Sequence, residues 1–289
     1  MQMIESHIAV TTEKPIRFQE YAVGIFNSIP SKSGIKKAIK KVLIFINDTP
    51  ATTATYIHGG ERIELYSNKT EEAFKRLVLP LEVLHEDHYL AVIYKPSGIL
   101  VSGNKFVTIA NGLPQNLQKS TKADAVKPQP VHRLDYPTSG VLLVGKTSAA
   151  IVALSDLFKD KKIKKTYYAV CIGQMQVTGH INEAIDGKNA ETHYEVLETV
   201  SSKRFGFLNF VKLSPSTGRK HQLRIHLASI RNQILGDQEH GEPRHFLKGK
   251  GLYLHAASLD FIHPLTKEPL CIHKEIPKKF KKIFPLQSL

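Results

Sequence analysis

Val141-Leu142-Leu143-Val144 is the stretch that most constrains the fold of this chain. It lies between Gly140 and Gly145-Lys146-Thr147, so the segment fits G-x-x-x-x-G-K-[ST], the phosphate-binding loop pattern of nucleotide-triphosphate enzymes. Such a loop needs pliant backbone whose N–H groups curl around phosphates, with a strand before it and a helix after it. Four successive apolar residues, two of them β-branched, predict a buried strand in place of that loop, with Gly140 in the turn that starts it. Gly145-Lys146-Thr147 then reads as a strand end and a helix N-cap, and Ile151, Leu154 and Phe158 follow at helical spacing. No nucleotide cofactor is expected here, and no G-x-G-x-x-G occurs.

The chemistry is expected just ahead of the strand. Arg133 and Asp135 stand beside the turn Pro137-Thr138-Ser139-Gly140. A carboxylate on a rigid strand edge can be aimed at a substrate. A lone aspartate in a loop is more often a cap or turn residue, so position alone does not assign it.

Charge points to the partner. Lys plus Arg number 40 against 26 Asp plus Glu, a net +14, and the isoelectric point is near 9.6. Most of that excess lies beyond residue 80. The balance favours a polyanion, with nucleic acid ahead of a membrane surface. No apolar run approaches the ~20 residues that span a bilayer, and the start "MQMIESHIAVTTEKP" lacks a basic region followed by an apolar one. A cytoplasmic protein acting as a monomer is expected. The two cysteines, Cys171 and Cys271, lie outside any metal-type spacing. The histidine pairs His221/His226 and His240/His245 are five apart rather than four, so no metal site is expected.

Three segments follow from composition and pattern. Residues 1–67 are expected to hold a small α+β domain, residues 68–80 a polar connector ending at Pro80, and residues 81–289 the catalytic domain. In the first, "SKSGIKKAIKK" places Ile35, Ala38 and Ile39 on one helical face, and "VLIFIND" and "GGERIELY" read as strands. Residues 1–14 carry little signal. In the last, "LEVLHEDHYLAVIYKPSG" reads as two strands and a turn. "TYYAVCIG", "THYEVLETV" and "FGFLNFVKL" read as strands. "TGRKHQLRIHLASIR" reads as a helix capped by Thr217, and residues 113–130 as a polar loop beside the site. The C-terminal "HKEIPKKFKKIF" reads as a basic amphipathic end.

"HRLDYPTSGVLLVGKT" resembles the signature of the RluA-type pseudouridine synthases, H-R-L-D-x-x-T-S-G followed by an apolar strand. "VIYKPSGILV", "KKTYYAVCIG", "STGRKHQLRIHLASIRNQILGD" and "LYLHAASLDFIHPLT" resemble four further family segments, in the family order, over about residues 80–270. Lys220, Asn232, His240 and Ser102 stand where the family usually has a threonine, a glycine, an aromatic residue and a histidine. Residues 31–63 resemble the S-four-like (αL) RNA-binding domain, with Val42 and Asp48 where that pattern has glycines.

The resemblance implies an α+β fold, a mixed and mainly antiparallel sheet with flanking helices and a central cleft. It also implies isomerisation of a uridine in ribosomal or transfer RNA, with no cofactor. Breaking the glycosidic bond builds positive charge on the sugar, and a close carboxylate can stabilise that charge, add to the sugar or remove a sugar proton. The family's aspartate maps to Asp135, with Tyr167 against the uracil and Arg224 paired with the acid. The target base must leave its stack to reach the acid. His132, Arg133, Arg219 and His221, with Lys36, Lys37, Lys40 and Lys41 of the first domain, are the expected RNA contacts. A catalytically silent RNA-binding or ribosome-assembly protein on the same fold is the alternative. A glycosidase would need a second acid that these segments do not supply.

Overall fold

The computed structural model divides into two compact units, Met1–Arg76 and Leu77–Leu289. It describes residues 1–67, 77–247 and 249–285. No helix among the described residues is long and apolar enough to cross a membrane.

The first unit has a four-stranded antiparallel sheet, ordered Gln2–Ile8, Arg62–Ser67, Ile44–Ile46, Thr49–Pro50. The helix Lys32–Lys40 starts at Ser31, whose hydroxyl accepts from the Gly34 N–H at 3.2 Å. Its buried face, Ile35, Ala38 and Ile39, joins Phe18, Phe26, Ile44 and Ile63 in one core, while Lys36, Lys37, Lys40 and Lys41 are exposed. Val42 and Asp48 adopt the left-handed backbone that glycine would favour, with φ of 53° and 64°. Val42 ends the helix in a Schellman turn. Its N–H donates to the Ile39 carbonyl at 2.9 Å and the Leu43 N–H to that of Ala38 at 3.0 Å. The helix stop is thus built without glycine, at a steric cost of about 1–2 kcal/mol for a β-branched residue. Asn47 and Asp48 form the two-residue turn of the hairpin in which Ile46 pairs with Thr49.

The second unit is built on a ten-stranded sheet. Its order is Thr178–Asn182, Glu191–Ser202, Gly206–Pro215, Lys164–Ile172, Leu254–Ile262, Ser139–Thr147, Leu90–Lys95, Val83–Glu86. Pro269–His273 pairs beside Leu254–Ile262, and Ala125–Pro130 beside Ser139–Thr147. Pairing is antiparallel except between Ser139–Thr147 and Leu254–Ile262, which run parallel through Ser139–His255 and Gly140–Ala256. This is the expected mixed, mainly antiparallel α+β architecture. At the parallel seam Gly140 has φ +132°, and a Cβ there would lie 2.1 Å from the Ala256 carbonyl oxygen. Only glycine fits.

All nine residues of Ser139–Thr147 are buried. The Lys146 ammonium lies 2.6 Å from Glu86 and donates to the Asp87 carbonyl, and Thr147 caps the helix Ser148–Lys159. The lysine of the loop-like pattern is therefore held in an internal ion pair. One apolar cluster packs around Val141–Val144 and Leu90–Ile93, another around Ala169–Ile172 and Phe210, and Tyr167 touches both.

Four expectations change. Residues 113–130 are not one loop, since they contain the end of the helix Ile109–Asn116 and the strand Ala125–Pro130. Gly112 and Pro114 disguise that helix. It is capped by Thr108 and steadied by the Asn116 amide, which donates to the Gly112 carbonyl at 2.7 Å. The later helix starts at Gln222, not after Thr217. Thr217 instead donates to the Gln222 side chain at 2.7 Å and accepts from the Glu191 N–H at 2.9 Å. Of the connector, residues 68–76 lie outside the described residues, and Leu79 accepts from the Asn116 amide at 2.8 Å, so it belongs to the second unit. The amphipathic end forms only a short helix, Lys278–Lys281, with Phe280 and Phe284 fully buried.

Candidate active site

A cleft of about 520 Å³ opens in the second unit, and Asp135, Tyr167, Arg224, His132, Arg133, Arg219 and His221 all line it. The structure thus gathers every expected site residue of that unit in one cavity. Lys36, Lys37, Lys40 and Lys41 belong to the other unit.

The loop carrying Asp135 is clasped from below by the Lys95-Pro96-Ser97-Gly98 turn. Lys95 donates to the carbonyls of Tyr136 and Thr138 at 3.3 and 2.7 Å, Ser97 to that of Pro137 at 2.7 Å, and the Gly98 N–H to that of Tyr136 at 2.8 Å. Lys95 is fully buried. Burial pulls its pKa down to about 8, against the pull of the Asp135 charge. On the other side of the turn, Ser139 and His255 share a buried hydrogen bond of 2.9 Å.

Asp135 is mostly enclosed, with 17% of its side chain exposed. Its Oδ2 lies 3.6 Å from Arg224 Nη1 and its Oδ1 3.8 Å from His221 Nε2. Arg224 is committed elsewhere. Its Nε and Nη2 grip Asp237 at 2.8 and 2.7 Å, and Nη2 also reaches Glu239 at 3.1 Å. The expected Arg224–Asp135 pair is present at 3.6 Å through Nη1, and Asp237 is a second, bidentate and closer partner that the sequence reading did not name. Burial works against charge on both Arg224 and Asp237. Their mutual bonds prevail, raising the Arg224 pKa and lowering that of Asp237.

Tyr167 sits on the strand Lys164–Ile172, where a register irregularity between Thr166 and Tyr167 interrupts the pairing with Leu254–Ile262. Such a bulge re-aims a side chain, here one that lines the cleft. Burial first, and the Asp135 charge second, raise the Tyr167 pKa, so the phenol stays protonated. Lys165 donates to the Thr217 carbonyl at 2.9 Å, and burial, reinforced by Lys161, lowers its pKa to about 8.

His132 is turned into the protein. Its Nε2 accepts from the Leu143 N–H at 3.0 Å, and its ring packs on Phe158 at 4.7 Å. Burial, aided by Lys165, pulls its pKa down to about 3. His132, an expected RNA contact, lines the cleft, where a neutral ring fixed to the backbone would bring no positive charge to a phosphate. Arg133, Arg219 and Lys220 are exposed along the cleft, and Arg219 donates to the Asn189 carbonyl at 3.0 Å.

Sequence reading missed Lys95, Lys165, Asp237 and Glu239 as site residues, although the first three lie inside quoted motif segments. Of the departures, Asn232 donates to the carbonyls of Ile172 and Gln174 at 3.0 and 2.9 Å. His240 meets His221 at 2.9 Å.

A mixed sheet with a parallel central seam, and a basic cleft around one clamped aspartate, defines the class: a pseudouridine synthase fold with an active-site-like cavity. The family model for RNA pseudouridylate synthase matches residues 89–229. The chain is 31% identical over 277 residues to the ribosomal large subunit pseudouridine synthase D of Neisseria meningitidis, covering 86% of this chain and 72% of that one. It is 30% identical over 241 residues to the tRNA pseudouridine synthase C of Vibrio vulnificus, covering 71% and 94%. Among solved structures, human RNA pseudouridylate synthase domain containing 4 superposes with a TM-score of 0.56 at 26% identity, over 69% of this chain and 90% of that one. This chain belongs to the RNA pseudouridylate synthase family. Its reaction is the isomerisation of uridine in RNA to pseudouridine.

Proposed function

We propose that Asp135 is the central acid of this isomerisation and that the substrate is a structured ribosomal or transfer RNA. The observation that carries the reading is the placement of Asp135. It is the cleft's aspartate, clamped by the Lys95–Gly98 turn and flanked by Arg224 and Tyr167. As the bond from nitrogen 1 to the sugar breaks, positive charge develops next to this carboxylate. Arg224 sets its positive charge 3.6 Å from this carboxylate while its own position is fixed by Asp237. Tyr167 forms a wall for the uracil, and its protonated phenol acts as a neutral ring and donor rather than a resident base. The flipped nucleotide's phosphates meet Arg133, Arg219 and Lys220 at the rim.

The substrate class rests on the relatives, which are named for large-subunit ribosomal RNA and for transfer RNA. We take the protein as a cytoplasmic monomer, and it needs no cofactor, since isomerisation adds no group and is redox-neutral. The test maps pseudouridine in both RNA classes from cells with and without the protein. It is paired with the purified protein acting on those RNAs in excess chelator. Sites lost in the deletion and restored by the purified protein identify the substrate. A protein that binds RNA but forms no pseudouridine would overturn the reading.

A further inference from the structure

His221, Glu239 and His240 converge at the edge of the cleft. His221 Nδ1 lies 2.9 Å from His240 Nε2 and 3.2 Å from Glu239 Oε1, and His240 Nε2 lies 3.8 Å from that same oxygen. An imidazole nitrogen carries at most one proton. His221 Nδ1 therefore cannot satisfy both neighbours by donation, and the third separation is too long for a hydrogen bond. Three potential ligand atoms lie within 3.8 Å of one another. In a tetrahedral zinc site with bonds of about 2.0–2.2 Å, neighbouring ligand atoms stand about 3.3–3.6 Å apart. The three separations bracket that spacing, so small side-chain adjustments would fit an ion.

The frame holding these donors is rigid. Asp237, with 1% of its side chain exposed, accepts from the N–H groups of Glu239 and His240 at 3.0 and 3.2 Å while gripping Arg224. Glu239 divides its oxygens, Oε2 toward Arg224 and Oε1 toward the histidines. An ion on Oε1 would leave the arginine contact in place.

The opposite face of His221 gives the site a consequence. Its Nε2 points at Asp135 Oδ1 from 3.8 Å. A metal on Nδ1 fixes the proton on Nε2, producing the carboxylate–histidine–metal arrangement common in metal sites. We propose that His221 Nδ1, Glu239 Oε1 and His240 Nε2 bind a divalent transition ion of the zinc class, and that occupancy ties Asp135 to His221 and shuts down isomerisation. Binding releases any proton on the ligand atoms and forms no covalent bond to substrate. The inhibitory half rests on Asp135 being the central acid, whereas the binding half does not.

A second cluster must be removed to read the first. His180, Glu191 and His193 lie on neighbouring strands, with His180 2.9 Å and His193 3.6 Å from Glu191 Oε1. The experiment therefore uses a His180→Ala, His193→Ala background, with and without His240→Phe, which restores the aromatic residue usual in the family. Cobalt(II) absorption reports tetrahedral binding, and zinc titration of single-turnover isomerisation reports its effect, each protein compared with its own metal-free rate. The expected result is one tetrahedral cobalt per chain in the background protein, lost with His240→Phe. Zinc should inhibit the background protein at least tenfold more than the His240→Phe protein. Absence of the absorption, or its persistence with His240→Phe, overturns the site. Binding without differential inhibition overturns the link to Asp135. If Asp135→Asn proves active, the central-acid reading fails by itself, while the cobalt signature still stands or falls on His240.

Discussion

Arg224 holds Asp237 through two bonds of 2.8 and 2.7 Å and stands 3.6 Å from Asp135 through its remaining Nη1. The arginine is thus a strut between a buried carboxylate that fixes it and a cleft carboxylate that it serves. Removing Asp237 should act at a distance. Asp237→Ala leaves a buried guanidinium with weakened partners and is expected to destabilise the protein by about 3–5 kcal/mol. It should also lower single-turnover rates at saturating RNA, because Arg224 loses its orientation. Arg224→Lys should retain part of the stability and less of the rate, since an ammonium cannot form the paired bonds. Urea unfolding and single-turnover assays on the three proteins check this. An Asp237→Ala protein of wild-type stability would contradict the strut.

Asp135→Asn should behave in the opposite way. Its partners Arg224 and His221 stand 3.6 and 3.8 Å away, beyond hydrogen-bond reach, so loss of its charge should cost less stability than loss of Asp237, about 1–2 kcal/mol. Turnover should fall by about a thousandfold or more, since the charge that meets the developing cation is gone. RNA affinity should hold within a few-fold. A folded variant with near-normal pseudouridine formation would remove Asp135 from the centre of the reaction.

The contrast shows what pattern can and cannot reveal. The strand Ser139–Thr147 is legible because its apolar run needs no partner to be recognised, and the helix Lys32–Lys40 because Ile35, Ala38 and Ile39 recur at its period. The strand Gln2–Ile8 is not. Most of its residues are exposed, and only pairing with Arg62–Ser67 defines it. The helix Ile109–Asn116 is hidden by its own Gly112 and Pro114. At the site, motif order brought Asp135, Tyr167 and Arg224 to attention. The partner of Arg224 is a matter of three-dimensional distance, because Asp135 and Asp237 are both carboxylates in quoted motifs. His132 and Arg133 differ in a way that sequence likewise hides. Arg133 is exposed while the His132 ring is held by the Leu143 N–H, a distinction that adjacency in sequence does not carry.

Two neutral histidines, His255 fully buried and His132 half-buried beside the cleft, set an acid limit on stability. The His132 pKa is pulled down to about 3 and that of His255 to about 4, each chiefly by burial. In the unfolded chain both titrate near 6.5. Between these values the unfolded chain binds protons that the folded one refuses. Their contribution is therefore fully present above about pH 6.5 and is lost as pH falls toward 4, at up to about 1.4 kcal/mol per pH unit for each histidine. His132→Gln can still accept from the Leu143 N–H but does not titrate. Its stability deficit relative to wild type should shrink by about 1–2 kcal/mol between pH 7 and pH 5. Urea unfolding at the two pH values measures this. A deficit independent of pH would mean that His132 titrates alike in the folded and the unfolded chain.

The lysines of the first unit offer a test that separates binding from chemistry. Lys36, Lys37, Lys40 and Lys41 are exposed, while the core face of the same helix is formed by Ile35, Ala38 and Ile39. Replacing the four with alanine keeps helix propensity and leaves the core untouched, so the unit should stay folded. If these ammonium groups meet RNA phosphates, each contact released should reduce the slope of log affinity against log salt by about 0.7–0.9. A loss of two to four contacts should therefore lower the slope by roughly 1.5–3.5. Affinity at low salt should fall more than affinity at high salt. Single-turnover rates at saturating RNA should stay at the wild-type value, because Asp135, Tyr167 and Arg224 lie in the other unit. Binding measured across a salt series, with turnover measured in parallel, reads both quantities. An unchanged slope would make this lysine face a solvated surface with no part in RNA recognition.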